Sequence, residues 1–237
     1  MHPILLKLGP FTIYSYGFMV ALGFGVATFL IYRRADKFGL NPDTVLDLAI
    51  LILTAGLIGA RLFYVMLNFE YYRVSPIEIV NFSKGGLVWY GGFASALLAG
   101  VWYMRRKGLN FWKASDLIAP YLALAQSIGR VGCYLNGCCF GLDPHPAQIY
   151  SSAALLLLFA ILRIWQDKRR FDGEIFLGYC ILYPLKRFLM EFVRDDSPKA
   201  FYGFTIFQII SAALFLIAVT AFFARALKWK KGSSSSR

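Results

Sequence analysis

Apolar residues run along this chain in long blocks separated by short, mostly basic connections. A helix that crosses a bilayer needs about 20 predominantly apolar residues. Seven stretches approach that length: 15–32, 44–67, 87–104, 114–135, 147–165, 175–192 and 204–224. They predict an all-α polytopic membrane protein of about seven transmembrane helices, built as a single helical domain over residues 1–231. Two stretches are atypical. Pro120, Gln126, Gly129 and Arg130 interrupt the fourth, and the sixth carries Pro184, Lys186, Arg187 and Glu191. Residues 68–86 are too polar for a span and predict an outer loop or arm. His2-Pro3 precede the first apolar run with no basic segment or cleavage site, so the first helix is expected to stay as an anchor. The closing Gly232-Ser233-Ser234-Ser235-Ser236-Arg237 reads as a cloning scar and stays outside fold reasoning.

Composition supports the membrane reading. Hydrophobic residues make up 58% and charged residues 16% of the 237 positions, with a mean hydropathy of +0.57. A soluble domain is about 45–50% apolar and about 25% charged. The formal charge of +12 would suggest nucleic acid in a soluble protein. Here the basic residues sit in loops between apolar blocks, which points to topology and anionic headgroups and not to nucleic acid. The loops at 32–43, 105–113 and 163–173 and the C-terminal tail hold 16 Lys and Arg; the alternate loops hold five. The positive-inside bias then puts the N-terminus outside and the C-terminus in the cytoplasm, the parity that seven spans require.

Four basic residues fall inside spans: Arg61, Arg130, Lys186 and Arg187. An Arg near a helix centre costs about 2.5–3.5 kcal/mol on insertion scales, so such residues are functional candidates by default. Arg187, Glu191 and Arg194 are spaced to share one helix face, where Glu191 can neutralise either arginine. Buried Arg–Glu pairs that only hold helices together are the structural alternative. An uncompensated guanidinium instead fits a phosphate fork to fork, and in a membrane that phosphate belongs to a lipid. Glycines cluster around spans three and four. Gly129-Arg130-Val131-Gly132 beside Asn136-Gly137 predicts a partly unwound segment lining a cavity, with close helix packing as the plainer use of the same glycines.

The run Gly129-Arg130-Val131-Gly132-Cys133-Tyr134-Leu135-Asn136-Gly137-Cys138-Cys139-Phe140-Gly141 resembles the signature of the bacterial prolipoprotein diacylglyceryl transferases, approximately G-R-x-G-N-F-x-N-x-E-x-x-G. Further pieces follow in that family's order. Tyr14-Ser15-Tyr16-Gly17 is similar to its first-helix Tyr-Gly, and Gly59-Ala60-Arg61-Leu62-Phe63-Tyr64 to its second-helix Gly-Arg segment. Gly85-Gly86-Leu87-Val88-Trp89-Tyr90-Gly91-Gly92 resembles its His-Gly-Gly segment, and His145-Pro146-Ala147-Gln148-Ile149-Tyr150 its His-Pro-x-Gln-x-Tyr. Tyr183 to Arg187, then Glu191 and Arg194, resembles its closing Arg-x-x-x-Glu-x-x-Arg. The likeness covers residues 10–227.

The resemblance implies seven transmembrane helices in the bacterial cytoplasmic (inner) membrane. It implies transfer of a diacylglyceryl group from phosphatidylglycerol to the lipobox cysteine thiol of a preprolipoprotein signal peptide, with glycerol-1-phosphate released. It implies no soluble cofactor, and no metal ligand is expected among the site residues. Arg130, Arg187, Tyr90 and His145 are then the expected catalytic positions. Tyr16, Arg61, Tyr64, Asn136, Gly141, Gln148, Tyr183, Glu191 and Arg194 are the expected substrate-binding ones. The chain departs from the pattern at Tyr90, where the family has His, at Cys133, where it has Asn, and at Cys138, where it has Glu. These variants place it in a Tyr-Gly-Gly and Gly-Cys-Cys subgroup.

On these residues, Arg130 and Arg187 would hold the phosphate while a thiolate attacks the adjoining glyceryl carbon. Tyr90 and His145 stand as alternative partners for the thiol proton. Cys133, Cys138 and Cys139 admit several readings: a disulfide from Cys133 to one of the others, small apolar packing, a thiol relay, or a metal site whose spacing is unlike common zinc motifs. Two other functions stay open, a lipid-binding homologue without transferase activity and a lipid transporter or flippase. Against the transporter stand the lack of an internal repeat and the scarcity of acids in the spans.

Overall fold

The computed structural model describes residues 2–8, 11–80, 85–142, 145–194, 199–201 and 203–234. In chain order the elements are β1 (Ile4–Leu8), β2 (Phe11–Tyr14), α1 (Ser15–Arg34), α2 (Pro42–Leu67), α3 (Phe69–Val74), α4 (Trp89–Arg106), α5 (Phe111–Asn136), α6 (Ala147–Gln166), α7 (Glu174–Met190), β3 (Lys199–Phe201), β4 (Phe204–Thr205) and α8 (Ile206–Ser234). Each of the seven apolar stretches is a helix. The expected all-helical fold needs one addition, two short antiparallel hairpins, β1 with β2 and β3 with β4. They close the chain just before α1 and α8, where backbone donors and acceptors would otherwise go unpaired. Four helical stretches are long and apolar enough to cross a membrane: Ser15–Phe38, Pro42–Leu67, Ala147–Gln166 and Ile206–Lys231. Large apolar side chains stand exposed along them, among them Ile58, Leu157, Ile164, Leu216 and Ile217, as acyl-chain contact requires.

The chain divides into two compact units, Met1–Ile31 with Trp112–Arg237, and Tyr32–Phe111. The smaller unit is a close pairing of α2 and α4. Asn41 starts α2 by accepting from the backbone N–H groups of Asp43 (2.8 Å) and Thr44 (3.3 Å), with Pro42 in the first turn. Gly59 and Gly91 face each other across the pair. A Cβ on Gly59 would lie 2.8 Å from the Gly91 carbonyl oxygen and run into the Ser95 side chain, so only glycine permits this approach. The predicted arm consists of α3, a 3-10 turn at Pro76–Val80, and extended residues 85–88; residues 81–84 lie outside the described ones.

The larger unit centres on a core of Ala119, Ala123, Leu155, Leu158, Leu162, Ile175 and Tyr179, drawn from α5, α6 and α7. Asp116, fully buried in α5, caps α7 from a distance. Its carboxylate accepts from the N–H groups of Gly173 (2.7 Å), Ile175 (3.0 Å) and Phe176 (2.9 Å), three donors that a helix start leaves unpaired. On the same side Gln166 Nε2 donates to the Asp116 carbonyl at 2.8 Å.

Two expectations are corrected here. Gly129 to Gly132 is not unwound: α5 stays helical through Asn136, and the turn comes at Gly137, whose φ is +72°. The physical reason is packing. A Cβ on Gly132 would meet Met19 Cβ at 2.9 Å and Tyr16 Cα at 3.4 Å, so this glycine lets α1 approach α5. Nor do Arg187, Glu191 and Arg194 share a helix face. α7 ends at Met190, Glu191–Val193 form a 3-10 turn, and Arg194 is extended, because its backbone pairs with that of Gly141.

Candidate functional site

The C-terminal end of α5, the N-terminal end of α6 and the C-terminal end of α7 meet around a group of cations. Arg187 Nη1 pairs with Glu191 Oε2 at 2.9 Å, and the carboxylate is fully buried. Glu191 Oε1 accepts from the Thr205 hydroxyl at 3.0 Å, which ties the pair to the hairpin before α8. The Arg187 guanidinium also lies 4.8 Å from the centre of the Phe207 ring, a cation–π contact from α8. Lys186, next in the chain, donates to Ser151 Oγ on α6 at 2.6 Å and stands 5.5 Å from the Tyr183 ring centre. Tyr183 stacks on Tyr179, whose hydroxyl donates to Gln126 Oε1 at 3.0 Å.

Arg130, Arg187 and Arg194 all lie within electrostatic reach of Lys186. Lys186 and Arg187 thus lie within reach of two further arginines, while Glu191 pairs with Arg187. Arg130 is half-buried and has no hydrogen-bonding or ionic partner among the described residues. A guanidinium held at depth with its donors unused is expensive unless an anion completes it. Such a group can receive an anion, and a phosphate matches the donor fork of a guanidinium.

Tyr16 of α1 and Cys133 of α5 also lie within electrostatic reach of Arg130. Cys133, Cys138 and Cys139 are free thiols, and their sulfurs lie within 4.8 Å of one another. The turn that gathers them is tightly held. Gln148 Nε2, buried on α6, donates to the Cys138 carbonyl at 2.8 Å, and Cys138 N–H donates to the Cys133 carbonyl at 3.2 Å. Cys139 takes a left-handed φ of +62°, an uncommon conformation for a residue with a side chain. Gly141 is wedged against the carbonyls of His145 and Val193, where any Cβ would collide. Burial, with the hydrogen bond from Cys139 next, pushes the Cys138 thiol up, so this sulfur is no ready nucleophile by itself.

The remaining sequence candidates are distributed as follows. Asn136 closes α5 and is exposed. His145 is exposed, its Nδ1 3.3 Å from the Tyr150 hydroxyl. Arg61, Tyr64 and Tyr90 belong to the smaller unit. Arg61 is buried there, its guanidinium donating to the carbonyls of Glu78 (2.6 Å), Ile79 (2.9 Å), Gly85 (2.7 Å) and Gly86 (3.1 Å). Tyr64 and Tyr72 flank it at 5.8 and 5.4 Å. These residues line a cavity of about 340 Å³. Tyr90 is 70% exposed beside Trp89. The sequence marked Lys186 as an intramembrane charge but gave it no role at the site, and Ser151 becomes visible only through it.

Comparison with known proteins identifies the family. The family model described as prolipoprotein diacylglyceryl transferase matches residues 3–224. Proteins from Bacillus mycoides, Bacillus cereus and Bacillus anthracis, each named phosphatidylglycerol–prolipoprotein diacylglyceryl transferase, are 31% identical to this chain over 91% of its length and 89% of theirs. Coverage of this extent leaves no room for a shared fragment only: the chain belongs to the prolipoprotein diacylglyceryl transferase family.

Proposed function

We propose that this protein transfers the diacylglyceryl group of phosphatidylglycerol to the thiol of a preprolipoprotein lipobox cysteine, forming a thioether and releasing glycerol-1-phosphate. The observation that carries the reading is Arg130, a half-buried guanidinium without a partner among the described residues, facing Lys186 and Arg187. Bound phosphatidylglycerol places its phosphate among them. The nucleophilic sulfur attacks the glyceryl CH₂ that carries the phosphate ester. As the C–S bond forms, the C–O bond breaks and its electron pair leaves with the glycerol phosphate. The cations stabilise that growing charge, and they do so without reorganising, because Glu191, Thr205 and Ser151 already hold two of them in place.

In this reading Arg130, Arg187 and Lys186 touch the phosphate, and Tyr16 and Asn136 line the approach to it. Gln148 and Gly141 position the turn after α5, and Glu191 positions Arg187. Arg194 adds its field from the strand that pairs with Gly141. Tyr183 packs under Lys186. Arg61 and Tyr64 organise the arm at residues 78–86 and the cavity beside it. All seven long helices cross the bacterial cytoplasmic membrane, with the N-terminus outside and the C-terminus in the cytoplasm, as the loop charges require.

The test is direct. Purified protein in detergent, given phosphatidylglycerol and a synthetic lipobox peptide, should release glycerol phosphate and yield a diacylglyceryl peptide by mass spectrometry. Lipid binding without release would instead identify a lipid-binding homologue and sink the transferase reading.

A further inference from the structure

The three-sulfur cluster beside Arg130 does more than pack. We propose that Cys133, Cys138 and Cys139 bind a thiophilic divalent cation, zinc, whose fourth position takes the substrate thiol and presents it as a thiolate. The proposal rests on the transferase reading above for its second half and on geometry alone for its first.

Three features of the cluster point to a metal. First, the spacing fits. With a zinc–sulfur bond of about 2.3 Å, tetrahedral sulfurs sit about 3.8 Å apart. Cys138 and Cys139 sulfurs are 3.7 Å apart, and all three lie within 4.8 Å. Closing the remaining gaps takes shifts of no more than about 1 Å, within reach of small side-chain rotations. Second, the backbone is arranged to aim these sulfurs. Cys138 and Cys139 are adjacent, so their side chains would ordinarily diverge. The left-handed φ of Cys139 turns its sulfur back to its neighbour, and Gln148 fixes the turn by holding the Cys138 carbonyl. Such strain at a non-glycine position is kept where a site requires it. Third, the local field favours thiolates. Zinc with three thiolates carries one net negative charge, and the Arg130 cation lies within electrostatic reach of Cys133.

Three protein ligands leave one tetrahedral position open, the arrangement of a reactive and not a purely structural zinc site. The chemistry then closes. Zinc binding displaces three protons from the cysteines. A lipobox thiol entering the fourth position loses its proton to water, since a metal-coordinated thiol is deprotonated outright. The bound sulfur attacks the glyceryl carbon, the C–O bond breaks, and the electron pair departs on glycerol phosphate toward Arg130 and Arg187. The product thioether is neutral and a weak ligand, so it leaves the metal and water returns. This gives the reaction a means of activating the thiol that needs neither Tyr90 nor His145.

The experiment measures metal before activity. Full-length protein, purified under reducing conditions and equilibrated with zinc, should hold about one zinc per chain by elemental analysis. Cobalt substitution should give sulfur-to-cobalt charge-transfer absorption. Cys133→Ser, Cys138→Ser and Cys139→Ser should lose both signals, while Cys180→Ser, on α7, keeps them. Cys139→Gly covers the case of misfolding, since glycine suits φ +62° and this variant should melt no lower than the zinc-free parent yet bind no zinc. A chelator should lower transfer by about 100-fold or more, the scale of a lost general base, and zinc should restore it. The proposal is overturned if active protein holds no zinc, if the serine variants keep the metal, if thiol mapping finds a disulfide among the three in active protein, or if transfer is indifferent to chelation. Zinc bound as described, with no glycerol phosphate released under any condition, refutes the transferase reading while the metal content still supports the site.

Discussion

Two arginines within the apolar spans of this protein, Arg61 buried and Arg130 half-buried, look alike in sequence and are used in opposite ways. Arg61, in the smaller unit, gives its guanidinium to four backbone carbonyls of residues 78–86 and lies between two tyrosine rings. Carbonyl dipoles solvate the charge, and the donors are taken up in doing so. Arg130, in the larger unit, has no such cradle and stands with Lys186 and Arg187. Burial alone therefore does not mark a ligand site. What separates the two is whether the protein itself supplies the acceptors.

The sharpest way to break this comparison is to remove each arginine in turn and read activity against stability. Arg130→Ala should lower transfer by about 1,000-fold, equivalent to about 4 kcal/mol of transition-state stabilisation, with little change in thermal unfolding, because no internal bond is lost. Retained turnover in Arg130→Ala would end the phosphate-clamp argument. Arg187→Ala should lose activity similarly and also destabilise the fold by about 3–5 kcal/mol, since it strands the buried Glu191.

Arg61→Ala should invert the pattern. Losing the charged donor leaves several partly buried carbonyls unpaired, at about 3 kcal/mol in stability by thermal unfolding in detergent. Transfer per folded molecule should fall less than about 10-fold, the ordinary consequence of a misplaced arm and not of a missing clamp. A loss as deep as that of Arg130→Ala, with unfolding unchanged, would show that Arg61 touches substrate.

How much of this was legible beforehand follows from the range of the forces involved. Helices in lipid must satisfy their own backbone groups, so apolar runs marked all seven to within a few residues, except that α8 continues ten residues past its apolar run to Ser234. The odd charges marked Arg130 and Arg187. What failed depended on partners far away in the chain. Gly132 reads equally as a place to unwind or a place to pack, and only Met19 and Tyr16 of α1 decide for packing. Arg194 has helical spacing from Arg187, yet the backbone of Gly141 pulls it out of the helix. The fate of Arg61 was hidden because its acceptors are main-chain atoms, which every residue carries. The cysteines showed their number and spacing, but not the left-handed turn at Cys139 that gathers them.

A smaller perturbation tests whether the site depends on the turn that carries these sulfurs. Gly141→Ala would force a Cβ against the carbonyls of His145 and Val193. Backbone cannot yield as a side chain can, so the turn must shift by a fraction of an ångström. Transfer should fall about 10- to 100-fold, with thermal unfolding lowered by about 1–3 kcal/mol. Unchanged activity would mean that the turn after α5 plays no part in holding the site.

The smallest expected effect comes from the anionic counterpart of Arg61. Asp116 is a full charge spent wholly on backbone, accepting from three N–H groups where α7 begins. Asp116→Asn keeps one oxygen but turns an amide NH₂ toward a donor, so at least one N–H loses its acceptor. Thermal unfolding should reveal a cost of about 1–2 kcal/mol. Transfer at saturating phosphatidylglycerol should stay within about 2-fold, because the cap lies at the end of α7 opposite Arg187, some 20 Å along the helix at 1.5 Å per residue. A fall in activity greater than the loss of folded protein would show that α7 moves as a rigid lever. The line between charges spent on the fold and charges kept for a ligand would then have to be redrawn through Asp116.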